Sequence, residues 1–302
     1  MKKSRTGTGI LFLVCVVILF IVLAVILSAH LGSDSDEADL GSLFAGGNKI
    51  GVIPIEGAIT SSDRTLKQLR KFRKKKSIKA IVLRINSPGG SVAPAQEIYH
   101  EIGKVRLSKP VVASMETIGT SAAYYIAGNT DEIVCSRGTI TGSIGVIMMM
   151  ADIHKVIERL GVGVNIIKAG KFKDLGTGVR PLTDEERSLL EGFAKHIHTQ
   201  FIDDIAKARA GKIDRKKLES VADGSFFSGE RAKELGLVDT IGNFYDAVDA
   251  AARRAGVKGE PELVYPKKKW EGYLDLLVDS MSRGIVKAAE HVRALQQVPV
   301  PR

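Results

Sequence analysis

The sequence predicts an α/β protein: a largely parallel sheet with helical crossovers, preceded by one N-terminal membrane-spanning helix. Three observations carry that expectation. Short runs rich in Val and Ile alternate with amphipathic segments through most of the chain. An unbroken run of 18 apolar residues, Ile10 to Leu27, follows Lys2, Lys3 and Arg5. The composition, 44% hydrophobic and 26% charged over 302 residues, is that of an ordinary globular chain. It excludes a wholly disordered chain, a collagen-like repeat and a polytopic membrane protein. Two cysteines exclude a disulfide-stapled scaffold: Cys15 lies in the apolar run and Cys135 has no plausible partner. The net charge of +10 favours anionic surfaces without choosing between phospholipid and nucleic acid.

About 20 apolar residues span a bilayer as a helix, whereas a cleaved signal peptide has an apolar region of ~7–15. The run therefore reads as an uncleaved anchor over 10–31, with residues 1–9 as a basic cytoplasmic terminus. Asp34, Asp36, Glu37 and Asp39 follow it, and no basic residue occurs until Lys49. That asymmetry places the bulk of the chain outside the cytoplasm, on a single-pass anchor in the inner, cytoplasmic membrane. Residues 32–48, acidic and rich in Gly and Ser, read as a flexible linker.

Ile50–Ile55 is expected as the first strand. Thr65–Lys76 suits a helix with Leu66, Leu69 and Phe72 on one face. Ala80–Ile85 is a strand ended by Asn86-Ser-Pro-Gly-Gly90. Val92–Val105 is helical, Pro110–Ser114 a strand, and a short helix begins near Ser121. Glu132–Cys135, Ser143–Met149 and Val164–Lys168 continue as strands. Thr183 caps a long helix to about Ala210, with Glu186 completing a capping box. Shorter helices follow near Arg215–Val221, Gly229–Leu235 and Phe244–Arg254. Residues 49–260 thus form one domain, and 261–302 an amphipathic helical tail. Arg64 to Lys79 holds nine Lys or Arg and no acid. Lipid or nucleic-acid contact is one reading, and a solvated helix face near a membrane is the plainer one. Only Phe72 there offers a ring to stack on a base.

Several chemistries are missing. No His-Glu-x-x-His is present, and His196 and His198 are two apart on a predicted helix, so no metal site is expected. No phosphate-binding loop and no Gly-x-Ser-x-Gly elbow occur. What remains is a serine. Ser121 opens an apolar helix after a strand, where the following amide can bind an oxyanion; a plain N-cap fits the same local sequence. Asn86–Gly90 ends a strand with glycines that let the backbone approach a ligand closely, or simply turns. Lys171-Phe-Lys-Asp174 follows the strand ending at Lys168. An ordinary lysine titrates at ~10.4, and base catalysis calls for ~7–8, which desolvation supplies.

The chain resembles the short form of bacterial signal peptide peptidase A, a Ser/Lys protease of the Clp protease–crotonase fold class. The matching segments are Leu83–Gly90, Ser121 with Tyr124–Ala127, Thr139–Val146, Lys168–Asp174, and Ala222–Gly229 through Asp239. They run in the family's order from about Lys49 to Ala251. Any one is weak, and the ordered set is specific. The resemblance implies Ser121 as nucleophile, Lys173 as general base rather than Lys171, and Ser143 as the serine orienting that lysine. It also implies Gly90 and Ala122 as oxyanion donors. No metal, nucleotide or other cofactor is implied. The implied partners are signal-peptide remnants and other unfolded peptides, the membrane, and copies of the same chain. Those copies would form a ring, an octamer among the candidate sizes, in which serine and lysine come from adjacent protomers. No nucleic-acid partner is implied. One departure stands out: the family's Ala-Ala-Ser-Gly-Gly is here Gly119-Thr120-Ser121-Ala122-Ala123. Alanine fits if the positions after the serine are helical and is strained if they need positive φ. A crotonase-type acyl-CoA enzyme and a non-catalytic membrane scaffold of the same fold are the rival readings.

Overall fold

A computed structural model describes residues 48–266. The expected anchor over 10–31 and the tail from 267 onward lie outside the described residues. Among the described residues, no helix is long and apolar enough to cross a membrane. Residues 47–265 form one compact unit.

Three parallel strands make its centre: β1 (Lys49–Glu56), β2 (Ile78–Ser87) and β3 (Val111–Thr120). Ile53 pairs with Leu83, and Leu83 with Ala113, all fully buried. Both faces of this centre are covered, so its strands read as continuous apolar runs rather than alternations. On one face lie the crossover helices α1 (Asp63–Lys74) and α2 (Val92–Arg106), together with α3 (Ala122–Gly128). On the other, Ile50, Ala80, Val82 and Val112 pack against Ala247, Val248 and Ala251 of a helix over Phe244–Arg254.

β3 divides the sheet. Its first half, Val112–Met115, pairs with β4 (Glu132–Cys135), and its last residues, Ile118–Thr120, pair with β5 (Ile140–Gly142). After β5 the chain makes a short helix, α4 (His154–Arg159), and then the long α5 (Asp184–Ala208). Thr183 and Glu186 form the expected capping box. α6 (Arg215–Val221), β6 (Phe226–Ser228), α7 (Gly229–Leu235), β7 (Thr240–Ile241) and α8 (Phe244–Arg254) follow. β6 runs antiparallel to β5, and β7 extends β4. Just past residue 260 the sheet takes one more strand, β8 (Glu262–Val264), parallel to β1.

Two expected strands are corrected. Ser143–Met149 and Val164–Lys168 carry strand-like apolar runs but form no ladder. Neither finds a partner strand among the described residues. Ile144 enters the core, but beyond it the apolar side chains turn outward: Ile147 is 90% exposed, Met149 91% and Ile167 100%.

Candidate active site around Ser121

Ser121 sits between β3 and α3 with φ +53° and ψ −123°. Only Ser121 and Ser143 combine a side chain with positive φ among the described residues. This backbone costs about 1–3 kcal/mol and persists only where the surroundings enforce it. Here the enforcement is visible on both sides. The Ser121 N–H donates to the Gly142 carbonyl at 2.9 Å, and the Ser121 carbonyl accepts the Tyr125 N–H at 2.9 Å, closing the first turn of α3. The Thr120 hydroxyl donates to the Pro88 carbonyl at 3.1 Å, tying the serine turn to the Asn86–Gly90 loop.

The two glycines of that loop have separate reasons to be glycine. A Cβ on Gly89 (φ +101°) would lie 2.9 Å from the Ser121 Cβ and 2.9 Å from the Ala122 nitrogen. A Cβ on Gly90 would lie 2.3 Å from the Ile59 carbonyl oxygen, because Gly90 is bridged to Ile59. Ile59 donates to the Gly89 carbonyl and accepts from the Ser91 N–H, fixing the loop on both sides of Gly90. The N–H groups of Gly90 and Ala122 carry no hydrogen bond among the described residues. At the first position of a helix, the Ala122 N–H has no intrahelical partner to take. Gly90, Ala122 and Ser121 border one cavity. Two unpaired amides beside a serine form an oxyanion-binding arrangement.

Ala122 and Ala123 are helical, and the positive φ falls on Ser121 itself. The departure from Gly-Gly therefore introduces no strain.

Beyond the serine the cavity is mostly apolar, walled by Val92, Val146, Tyr125 and Phe201, with Gln96 as a polar member. The Tyr125 and Phe201 rings meet edge to face at 4.7 Å. The Tyr125 hydroxyl donates to the Asp204 carboxylate, which joins α3 to α5. Burial, then that carboxylate, push the Tyr125 phenol far above its ordinary value, so it stays protonated.

Ser143 is half-buried, just past β5. Its N–H donates to the Ser225 carbonyl at 2.7 Å, and the Gly224 N–H donates to the Ile144 carbonyl at 3.1 Å. The Ala222–Gly229 segment is thus the clamp on Ser143. The sequence marks Ala222–Gly229 as a matching segment but assigns it no role in the site; the hold on Ser143 is read only from the structure.

Lys173 lies elsewhere. It is exposed, in a turn where its N–H donates to Gly170 at 3.2 Å, and it does not border the Ser121 cavity. The turn is well fastened. Neighbouring Asp174 is buried and takes Arg180 at 2.8 Å and Lys168 at 2.5 Å. Arg180 also grips Glu186, the capping-box acid of α5, at 2.6 Å. These bonds, that from Arg180 first, hold the Asp174 carboxyl far below the usual range, and Arg180 lowers Glu186 to about 2. Lys171 is committed to an ion pair with Glu185. One chain therefore brings together Ser121, Gly90, Ala122 and the Ser143 turn, and leaves Lys173 outside.

Two family models match the chain: Clp protease over residues 49–158 and peptidase family S49 over residues 104–258. The fold is a Clp-type protease core, and the matching family is one of serine proteases. The chain belongs to peptidase family S49. A Synechocystis protein named as an inferred protease is 39% identical over 69% of this chain and 75% of its own length. The chloroplast serine protease SPPA of Arabidopsis thaliana is 34% identical over 68% of this chain and 30% of its own. Protease 4 of Salmonella typhi is 34% identical over 84% of this chain and 42% of its own. The chain thus spans less than half the length of the last two.

Proposed function

We propose that the protein is a membrane-anchored endopeptidase with a Ser121/Lys173 dyad, degrading signal-peptide remnants and other unfolded peptides outside the cytoplasm. The observation that carries the reading is Ser121, held at positive φ with the unpaired N–H groups of Gly90 and Ala122 around the same cavity. Ser121 Oγ attacks the peptide carbonyl, and its proton passes to the neutral Lys173 amine. The two amides receive the developing oxyanion. The protonated lysine then gives its proton to the leaving amine, water adds to the acyl-enzyme, and Ser121 is restored. Ser143 orients the lysine.

The position of Lys173 supports a site shared between copies. The exposed apolar residues of 147–167 give a second copy something to cover, and the unpaired segments Ser143–Met149 and Val164–Lys168 give it backbone to pair with. A closed ring satisfies every such contact, with each Lys173 serving a neighbour's Ser121.

Hydrolysis of an unstructured peptide and labelling by a serine-reactive probe test the reading. Wild type should do both, and Ser121→Ala neither. Probe labelling that survives Ser121→Ala overturns the assignment of the nucleophile.

A further inference from the structure

The two ends of the parallel sheet differ in charge. β1, β2 and β3 begin together, with Lys49 opposite Ile78 and Ile81 opposite Val111. Ser121 and the Pro88–Gly90 turn lie past the C-terminal ends of β3 and β2. β2 has ten residues, so its ends are about 30 Å apart.

The starting end is basic. α1 leads back from the far end of β1 to the start of β2, and its last turn holds Lys71, Arg73 and Lys74. Lys75, Lys76 and Lys79 follow directly. Lys109, just ahead of β3, donates from Nζ to the carbonyl oxygens of Phe72 and Lys75 at 2.6 and 2.7 Å. It thereby caps α1 and adds its charge to the same place. Burial, then the charge of Lys79, push the Lys109 ammonium down from its ordinary value.

The acids of this end are mostly taken. Buried Glu101 faces Arg70, Arg73 and Lys104. Asp131 holds Arg106, Glu132 holds Arg254 and Glu262 holds Lys49. Exposed Glu260, ahead of β8, also stands here. Lys71, Lys74, Lys75, Lys76 and Lys79 are exposed and enter no ion pair among the described residues.

Two facts choose the partner. Phe72, the one aromatic of the basic run, is 3% exposed and packs in the core, so no ring is presented for stacking on a base. The same end of the sheet is where the chain arrives from the 18-residue apolar run, through residues 32–48. A random coil of 17 residues has a mean span of only about 20–25 Å. We propose that this basic end docks on an anionic phospholipid surface through Lys71, Lys74, Lys75, Lys76 and Lys79. The Ser121 end of the sheet is thereby held about 30 Å from the headgroups.

The full chain is tested with vesicles of phosphatidylcholine, with or without phosphatidylglycerol. A membrane-impermeant amine reagent and peptide mass spectrometry read the labelling of each lysine. With phosphatidylglycerol, the five lysines should label several-fold more slowly than with phosphatidylcholine alone. Lys155 and Lys195 should not change. High salt should abolish the protection, since exposed charges are screened. Joint Lys74→Glu, Lys75→Glu and Lys76→Glu substitution should release Lys71 and Lys79 while circular dichroism stays unchanged. Should that variant misfold, the salt response of the wild type decides the matter alone. Equal labelling on both vesicles, protection that extends equally to Lys155 and Lys195, or stronger protection by duplex DNA than by the anionic vesicle overturns the proposal.

Discussion

The backbone N–H of Ser121 donates to the carbonyl of Gly142 at 2.9 Å, so the candidate nucleophile is fastened to the residue that precedes Ser143. The two strained serines are one assembly. β5 carries Gly142 to β3 by parallel pairing, and β6 holds β5 from its other edge. Neither serine conformation has a local sequence cause; both are imposed by this three-strand corner.

Strain imposed in this way is measurable. Ser121→Gly should be more stable than Ser121→Ala by about 1 kcal/mol, because glycine alone adopts positive φ without penalty. Both variants should be inactive. The same ordering is expected for Ser143→Gly against Ser143→Ala. Thermal unfolding of the four variants is the check, and alanine variants as stable as their glycine counterparts would refute the strain.

Gly89→Ala pushes a methyl group to 2.9 Å from Ser121 Cβ and from the Ala122 nitrogen. It should destabilise the protein by about 1–3 kcal/mol and lower kcat on the order of a hundredfold, by displacing an oxyanion donor. Gly57→Ala serves as the control: φ is also positive, but nothing lies within 4 Å. It should cost about 1 kcal/mol and leave kcat alone. Equal loss of activity in the two would show that the contact with Ser121 is not the cause.

Ser121→Ala and Lys173→Ala should each be inactive, while Lys171→Ala keeps most of its activity because its ammonium is spent on Glu185. Mixing the two inactive proteins under subunit exchange should restore part of the activity, since some junctions then join an intact serine to an intact lysine. Mixed assemblies that form and stay inactive would place the site within one chain.

Asp174 and Glu186 both titrate below their ordinary values through Arg180. A depressed folded value contributes stability above the unfolded pKa, near 4, and loses it as pH falls through the folded one. The Lys173 turn should hold down to about pH 4 and loosen as pH drops toward about 2, where Glu186 takes its proton. Arg180→Ala should flatten this acid dependence. Hydrogen exchange over residues 168–186 as a function of pH would show it, and a wild-type profile unchanged by Arg180→Ala would count against the network.

The parallel centre was legible in the sequence because strands such as Ile78–Ser87, buried on both faces, must be apolar throughout. Helix ends were legible where a cap is chemical, as at Thr183 and Glu186. Strands of two or three residues, such as Phe226–Ser228 and Thr240–Ile241, carry too few residues for any periodicity. Val164–Lys168 misled for the opposite reason: a strand-like run specifies a sticky edge, not the neighbour that satisfies it. At the site, Ser121 and the Gly89–Gly90 pair were visible as residue types. The positive φ of Ser121 was not, since it arises from Gly142, distant in sequence.

The fork in β3 has a mechanical consequence. Val112–Met115 is locked between β2 and β4, while Ile118–Thr120 meets β2 only at the Gly119–Ser87 pair, past a break in register, and otherwise leans on the three-residue strand β5. Amides of the first segment should exchange only when the whole domain opens. Those of the second, with Ser121 behind them, can exchange through a local opening that leaves the core closed. Heat would then silence the enzyme before it melts the protein, and cooling would bring the activity back without any refolding of the sheet.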